Sequence, residues 1–268
     1  MARVSAKEKT EKNGSKLDSR IAEGSWVAAP ERAKKNQTHL QGMEDASPKS
    51  GGLQIILPQL KLATVELSIV GTSELIVHNW SEKQRRQIRD KQTGTASAGR
   101  EKKDPVADFL GSLYTIKKGK VMGDKTLEQR TEDGHPNVWL EGGKFGIPTI
   151  AFKNAMVTAC TSLGRSVVTK TAARQAFHVV GSMTEIDADL CRMREDMVRV
   201  GAMKDTADIR YRAGFPEWSC KIQVIINQNV MSPEQVANLL NLAGFAVGIF
   251  EWRCECGGNY GAFEVERS

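Results

Sequence analysis

A chain of 268 residues that is 40% hydrophobic can bury one substantial core without disulfides or metals to staple it. Its apolar runs, such as AGFAVGIF at 243–250, fall far short of the ~20 residues that cross a bilayer, and mean hydropathy is −0.38. The formal charge of +6 permits a polyanionic partner without demanding one, because mild basicity also keeps a protein soluble.

Residues 1–52 are dominated by Lys, Glu, Ser, Gly, Asn and Gln and hold no periodicity for two turns, with Trp26 and Val27 as the one sticky spot. That composition predicts a polar, disordered N-terminal arm, and one folded domain over 53–268. The opening MARVSAKEKTEKNGSK lacks the apolar centre of a secretory signal. The five cysteines are an odd number, with Cys160, Cys191 and Cys220 standing singly. This is the usage of a reduced, cytoplasmic protein.

Order is expected to begin with LQIILPQLKLATVELSIVG, where Val65, Leu67 and Ile69 alternate as in a half-buried strand. Gly71-Thr72-Ser73 interrupts the pattern and Leu75-Ile76-Val77 resumes it. Ser81 with Gln84 reads as a capping box opening a helix, and Asp104 with Pro105 opens a second. The Gly- and charge-rich stretch 117–146 reads as loops or a ragged hairpin. IPTIAFKNAMVTACTSLG predicts a helix from about Pro148 with alanines on its packing face. QAFHVVG and TEIDADL read as strands, and MVRVGAMKDTADIRYRAGF as a long hairpin turning near Lys204-Asp205. EWSCKIQVIIN alternates as a strand, and SPEQVANLLNLAG as a helix capped by Ser232 and Gln235 and stopped by Gly244. FAVGIFEWR and YGAFEVE are strand candidates flanking a glycine-rich loop. The class is α+β; no Rossmann glycine motif and no P-loop lysine is present.

Two stretches resemble the RAMP superfamily, the ferredoxin-like proteins that form CRISPR effector backbones. IPTIAFKNAMVTA at 147–159 resembles its helix-start motif, with Asn154 where that motif carries Gly. AGFAVGIFEWRCECGGNYGAFEVE at 243–266 resembles its closing glycine-rich loop and last strand, interrupted by Cys254 and Cys256. The wider pattern from Arg192 to Trp218 resembles uncharacterised proteins carried by tailed phages and prophages. The resemblance implies a ferredoxin/RRM-like antiparallel sheet with packed helices, a projecting basic β-hairpin and a C-terminal glycine-rich loop that together hold a single strand. It further implies copies aligned head to tail along that strand.

The residues point the same way through two basic clusters. Lys83, Arg85, Arg86 and Arg89, continued by Lys91, Arg100, Lys102 and Lys103, concentrate charge along about two helical turns, as contact with phosphates needs. In the hairpin, Arg192, Arg194, Arg199, Lys204, Arg210 and Arg212 form the second. Arg210 and Arg212 share one strand face about 7 Å apart, near the spacing of successive phosphates, with Tyr211 on the other. Lys153 in the helix-start motif, and Arg253, Gly257 and Gly258 in the glycine loop, complete the nucleic-acid candidates with Trp80 and Trp139 as stacking rings. Trp218 and Trp252 read as core.

The competing patterns are thinner. A solvated helix face and internal salt bridges to Glu195, Asp196, Asp205 and Asp208 remain open readings of the two clusters. His78 at a strand end is a candidate general base, and Glu185, Asp187 and Asp189 are a carboxylate row for Mg²⁺ or the solvent face of an edge strand. Cys254 and Cys256 form a C-x-C with no second pair, and His39, His78, His135 and His178 lie at no metal-ligand spacing, so no metal and no cofactor is expected. The reading is non-catalytic, multimeric binding of single-stranded DNA or RNA, without a membrane. A nuclease of the same fold and a protein-binding assembly or inhibitor module are the alternatives.

Overall fold

The computed structural model describes residues 57–95, 102–129, 134–164, 167–200 and 206–266. The expected arm over 1–52 with His39, Arg100, and the hairpin tip at Lys204-Asp205 lie outside them. In chain order the elements are β1 (Leu62–Gly71), β2 (Leu75–Val77), α1 (Glu82–Thr93), α2 (Pro105–Ser112), β3 (Thr115–Lys117), β4 (Lys120–Gly123), β5 (Asn137–Glu141) and β6 (Lys144–Pro148). There follow α3 (Ile150–Leu163), α4 (Lys170–Ala176), β7 (Phe177–Val179), β8 (Met183–Asp187), β9 (Cys191–Val200), β10 (Thr206–Phe215), β11 (Ser219–Asn227), α5 (Pro233–Ala246) and β12 (Phe263–Val265).

The fold is α+β, with two antiparallel sheets. One runs β12-β1-β11-β8-β6-β3, with β7 also on β11; the other runs β2-β10-β9-β5-β4. Set apart from its insertions, the chain reads β1, α3, β7/β8, β11, α5, β12, and the sheet order β12-β1-β11-β7/β8 is antiparallel throughout. That is the ferredoxin-like arrangement. Residues 72–148 and 188–218 are the two excursions from it, and they jointly build the second sheet.

The alternation in β1 is used as expected: Ile69 is buried, Val65 and Leu67 pack on the core, and Glu66 and Val70 stay exposed. β11 answers it in register, burying Cys220, Ile222, Val224 and Ile226. α3 and α5 cover that inner face through Phe152, Met156, Val236 and Leu240, and Phe152 meets Phe263 edge-on with ring centroids 5.4 Å apart. Burial of side chains this size stabilises by about 1.5–3 kcal/mol each, before the conformational entropy of ordering them is counted.

The structure departs from or adds to the expectations at four places. The stretch read as loops or a ragged hairpin is the hairpin in its middle, where β4 pairs antiparallel with β5, and it also holds β3 and β6; Trp139 lies on β5 and not in a loop. The short helix α4, capped by Thr169, precedes β7. FAVGIFEWR is not a strand: α5 runs on to Ala246, and the chain then turns with Phe250 and Trp252 at φ of 63° and 50°. Gly244 therefore sits inside α5 and does not end it. A Cβ there would lie 1.8 Å from the Phe263 carbonyl oxygen, so glycine is required by the close passage of β12. Gly244→Ala is expected to cost about 1–3 kcal/mol in denaturant unfolding, the price of overpacking.

β8 is also an interior strand, paired to β11 and β6, and not the edge strand considered above. Glu185 and Asp187 lie exposed on it, with Glu185 tied to Lys144 at 2.7 Å. The sheet face turned away from the helices carries Glu66, Glu185, Asp187 and Glu264 and no Phe, Tyr or Trp among the residues of β1, β11, β8 and β12 on it. Base stacking on an aromatic-bearing open sheet therefore has no counterpart on this face.

Candidate nucleic-acid interface

Lys83 and Lys103 of the first basic cluster and Arg210 of the second, over a hundred residues away in sequence, line one cleft. α1 begins where Ser81 and Gln84 exchange the two hydrogen bonds of a capping box, and ends at Gly94 in the left-handed conformation. It buries no residue, so its caps and charges carry it. Lys83, Gln84 and Gln87 face Arg210 and Tyr211 of β10 across a cleft of about 510 Å³, with His78 also lining it. The chain entering α2 is bolted to β10: Lys103 Nζ donates to Asp208 Oδ1 at 2.6 Å and to the Ile209 carbonyl. Asn79 anchors the other side, its backbone N–H donating to the Ser112 carbonyl and its Nδ2 to the Leu113 carbonyl.

Arg85, Arg86 and Arg89 are exposed on α1 outside the cleft, Arg85 within 3.3 Å of Glu82. Arg210 is 4.0 Å from Asp208 and 38% exposed. Arg199 is exposed on the distal half of β9. Trp80 is 61% exposed just ahead of α1, and Trp139 is 36% exposed on β5.

Arg212 is different, and corrects the expectation of an open two-arginine track. It shares the strand face of Arg210 but is 2% exposed, with Glu251 at 3.2 Å, Asp196 at 3.7 Å and the Trp252 ring 5.5 Å beneath its guanidinium. Burial pulls its pKa down, while Glu251 and Asp196 act to keep it charged. Arg194 donates to Glu74 and Asp196 and lies over the Tyr260 ring, and Arg192 donates to the other oxygen of Glu74. Trp252 is half-buried under this network, whereas Trp218 is core. Sequence alternation placed these arginines on the right strands. It did not find Glu74 and Glu251, the distant carboxylates that pair with them and hold Arg194 and Arg212 largely out of solvent.

The two resemblance stretches also meet. Ala151, Asn154 and Thr158 of α3 line a hollow of about 190 Å³ with Gly248, Phe250 and Arg253. Arg253 donates to Glu255 Oε2 through Nε and Nη2, at 3.0 and 2.9 Å. Gly257 has φ of 80° and open space around it, but a Cβ on Gly258 would strike the Trp252 carbonyl oxygen at 1.8 Å. The close approach at Gly258 is thus to the protein's own backbone. Lys153 lies apart from the cleft, with Nζ 3.0 Å from His178 Nδ1. Cys254 and Cys256 occupy a 3₁₀ turn, and burial pushes the Cys220 thiol up to about 12, so that cysteine is inert as a nucleophile at neutral pH.

His78 follows β2 directly, and its Nδ1 is buried with no hydrogen-bond partner among the described residues. Burial first, then the charges of Arg212 and Arg210, hold its pKa below the usual 6.5, with Glu251 and Asp108 opposing. A depressed imidazole binds fewer protons folded than unfolded, so its contribution to stability is complete above pH 6.5 and is lost as pH falls through the lowered folded value. Between about pH 7.5 and about pH 5, wild type should lose more unfolding free energy than His78→Asn, measured by urea titration. Equal losses would show that His78 titrates as it does unfolded.

No family model matches the chain, and no curated protein matches it. Among solved structures, a chain of "Cryo-EM structure of the Type III-B Cmr-beta bound to cognate target RNA" is similar over 100% of this chain and 77% of its own, at 9% identity and a TM-score of 0.40. A likeness of that degree carries no weight for function. Among the described residues, no helix is long and apolar enough to cross a membrane.

Proposed function

We propose that this protein binds single-stranded nucleic acid without cleaving it, several copies to a strand, as a RAMP-like protein of phage or prophage origin serving replication, recombination or defence in the bacterial cytoplasm. One observation carries the reading: Lys83 and Arg210, from separate basic clusters, line one solvent-open cleft with exposed Arg85, Arg86 and Arg89 beside it. Cations spread along a path suit a backbone of repeated phosphates better than a single anion. Trp80 stands at the entrance to α1 as a stacking ring. The phage setting rests on the sequence pattern between Arg192 and Trp218 alone.

A labelled single-stranded oligonucleotide should bind the protein at about 50 mM salt, with affinity falling steeply as salt rises. An oligonucleotide that stays free at that salt, with folded protein in micromolar excess, ends the proposal. The alternative of strand cleavage draws on His78, which lines the cleft. Fragments from labelled RNA or DNA that vanish with His78→Ala would establish it.

A further inference from the structure

Phosphate contact explains the cations of the cleft and leaves its interior unexplained. A surface that only tracks a backbone needs no hollow, yet this open cleft has a volume of about 510 Å³, within the range of about 300–1,000 Å³ typical of small-ligand sites. Besides Ser81 and Gln84, which cap α1, neutral polar residues line it. His78 lines it with its ring, whose Nδ1 lies buried beneath the surface with no hydrogen-bond partner among the described residues. Asn79 spends its Nδ2 on the Leu113 carbonyl, which leaves its Oδ1 as an acceptor. Gln87 presents an amide from α1. Asp208, Ile209, Arg210 and Tyr211 of β10 form the wall alongside.

The two carboxylates lining the cleft differ in a useful way. Asp208 is held by Lys103 at 2.6 Å and by Arg210 at 4.0 Å. Asp108, near the start of α2, makes no side-chain hydrogen bond among the described residues and faces the same space. An ionised carboxylate only accepts hydrogen bonds, so it repels phosphate and favours an amine. Cytosine, adenine and guanine carry an exocyclic amine; uracil and thymine do not.

We infer that the cleft takes one unstacked, amine-bearing nucleobase, its amine on Asp108 and its phosphate on Lys83 and Arg210. The ligand unit is then one nucleotide, either spliced into a strand or free. This rests on the nucleic-acid reading for the strand-borne case only. Uracil and thymine put a carbonyl oxygen where the amine stands, so at that position two acceptors would face each other and the carboxylate would be left desolvated and unpaired.

The test is calorimetry on the full-length protein at low salt with CMP, UMP and inorganic phosphate, beside mobility shifts with oligo-dC and oligo-dT. CMP is expected to bind at least about tenfold more tightly than UMP or phosphate, a modest figure for a single hydrogen-bonded discrimination. Asp108→Asn should erase the preference for CMP over UMP. Gln87→Ala, at an exposed helix position that cannot disturb the core, should weaken CMP if Asp108→Asn fails to fold. CMP, UMP and phosphate binding alike, or none binding, overturns the pocket. Steeply salt-dependent oligonucleotide binding that is blind to base and to Asp108→Asn overturns it too, and leaves the strand-binding reading intact. CMP bound with no oligonucleotide bound supports the pocket for free nucleotides and ends the strand-binding reading.

Discussion

Lys83→Glu combined with Arg210→Glu is expected to weaken single-stranded oligonucleotide binding by roughly 100-fold at about 50 mM salt, with about tenfold coming from each reversed contact. The slope of log K against log salt should flatten by about 1.4, since each single-strand phosphate contact contributes about 0.7. These two side chains are chosen because they line the same cleft from α1 and from β10. Arg253→Glu is the matched control. Its guanidinium already donates twice to Glu255, so little cation is left to lose and the slope should scarcely move. An unchanged slope in the double variant, with folding intact, would place any strand elsewhere. A larger fall for Arg253→Glu than for the double variant would move the interface to the glycine loop.

The choice of Lys83 and Arg210 could not have been made from the sequence alone, and the reason is physical. Local periodicity reports which residues share a face, and it did so correctly for Val65, Leu67 and Ile69 and for Arg210 and Arg212. Caps are equally local, which is why Ser81 with Gln84 and Ser232 with Gln235 appear as read. Whether an arginine on the right face reaches solvent depends on carboxylates brought up by another part of the chain. Glu251 lies 39 positions beyond Arg212, and Glu74 lies 118 before Arg192. Nothing within one strand's pattern announces either.

The short strands from Thr115 to Pro148 were hidden for a related reason. Each is three to five residues long, too brief for alternation to register, and β4 and β6 also contain a glycine. The apolar run at Phe245–Phe250 failed in the opposite sense. Its residues favour extended structure locally, but packing bends the chain into positive φ at Phe250 and again at Trp252. Bulky residues hold such angles only where their surroundings over-determine them. Here the surroundings include Arg212 over the Trp252 ring and the Glu251 N–H donating to the Ile76 carbonyl.

That same contact set makes Arg212 the residue on which the base of the hairpin and the glycine loop depend together. Arg212→Met is expected to lower stability by about 3 kcal/mol, because it leaves the buried Asp196 short of one cation and Glu251 with none. Arg194 still donates to Asp196, which is why the loss sits at the lower end for a broken buried pair. Double substitution of Arg212→Met with Glu251→Gln should recover part of the loss, since it removes the carboxylate that the single change strands. Trp252 fluorescence reports the event directly: its ring loses the guanidinium overhead, so the emission of the folded variant should shift even where far-UV dichroism does not. A stability change below about 1 kcal/mol, or an unmoved emission, would mean that Arg212 is solvated and that loop and hairpin are held by other contacts. An open Arg212 would then return as a phosphate ligand, and Arg212→Met would lower oligonucleotide affinity as much as Arg210→Met does.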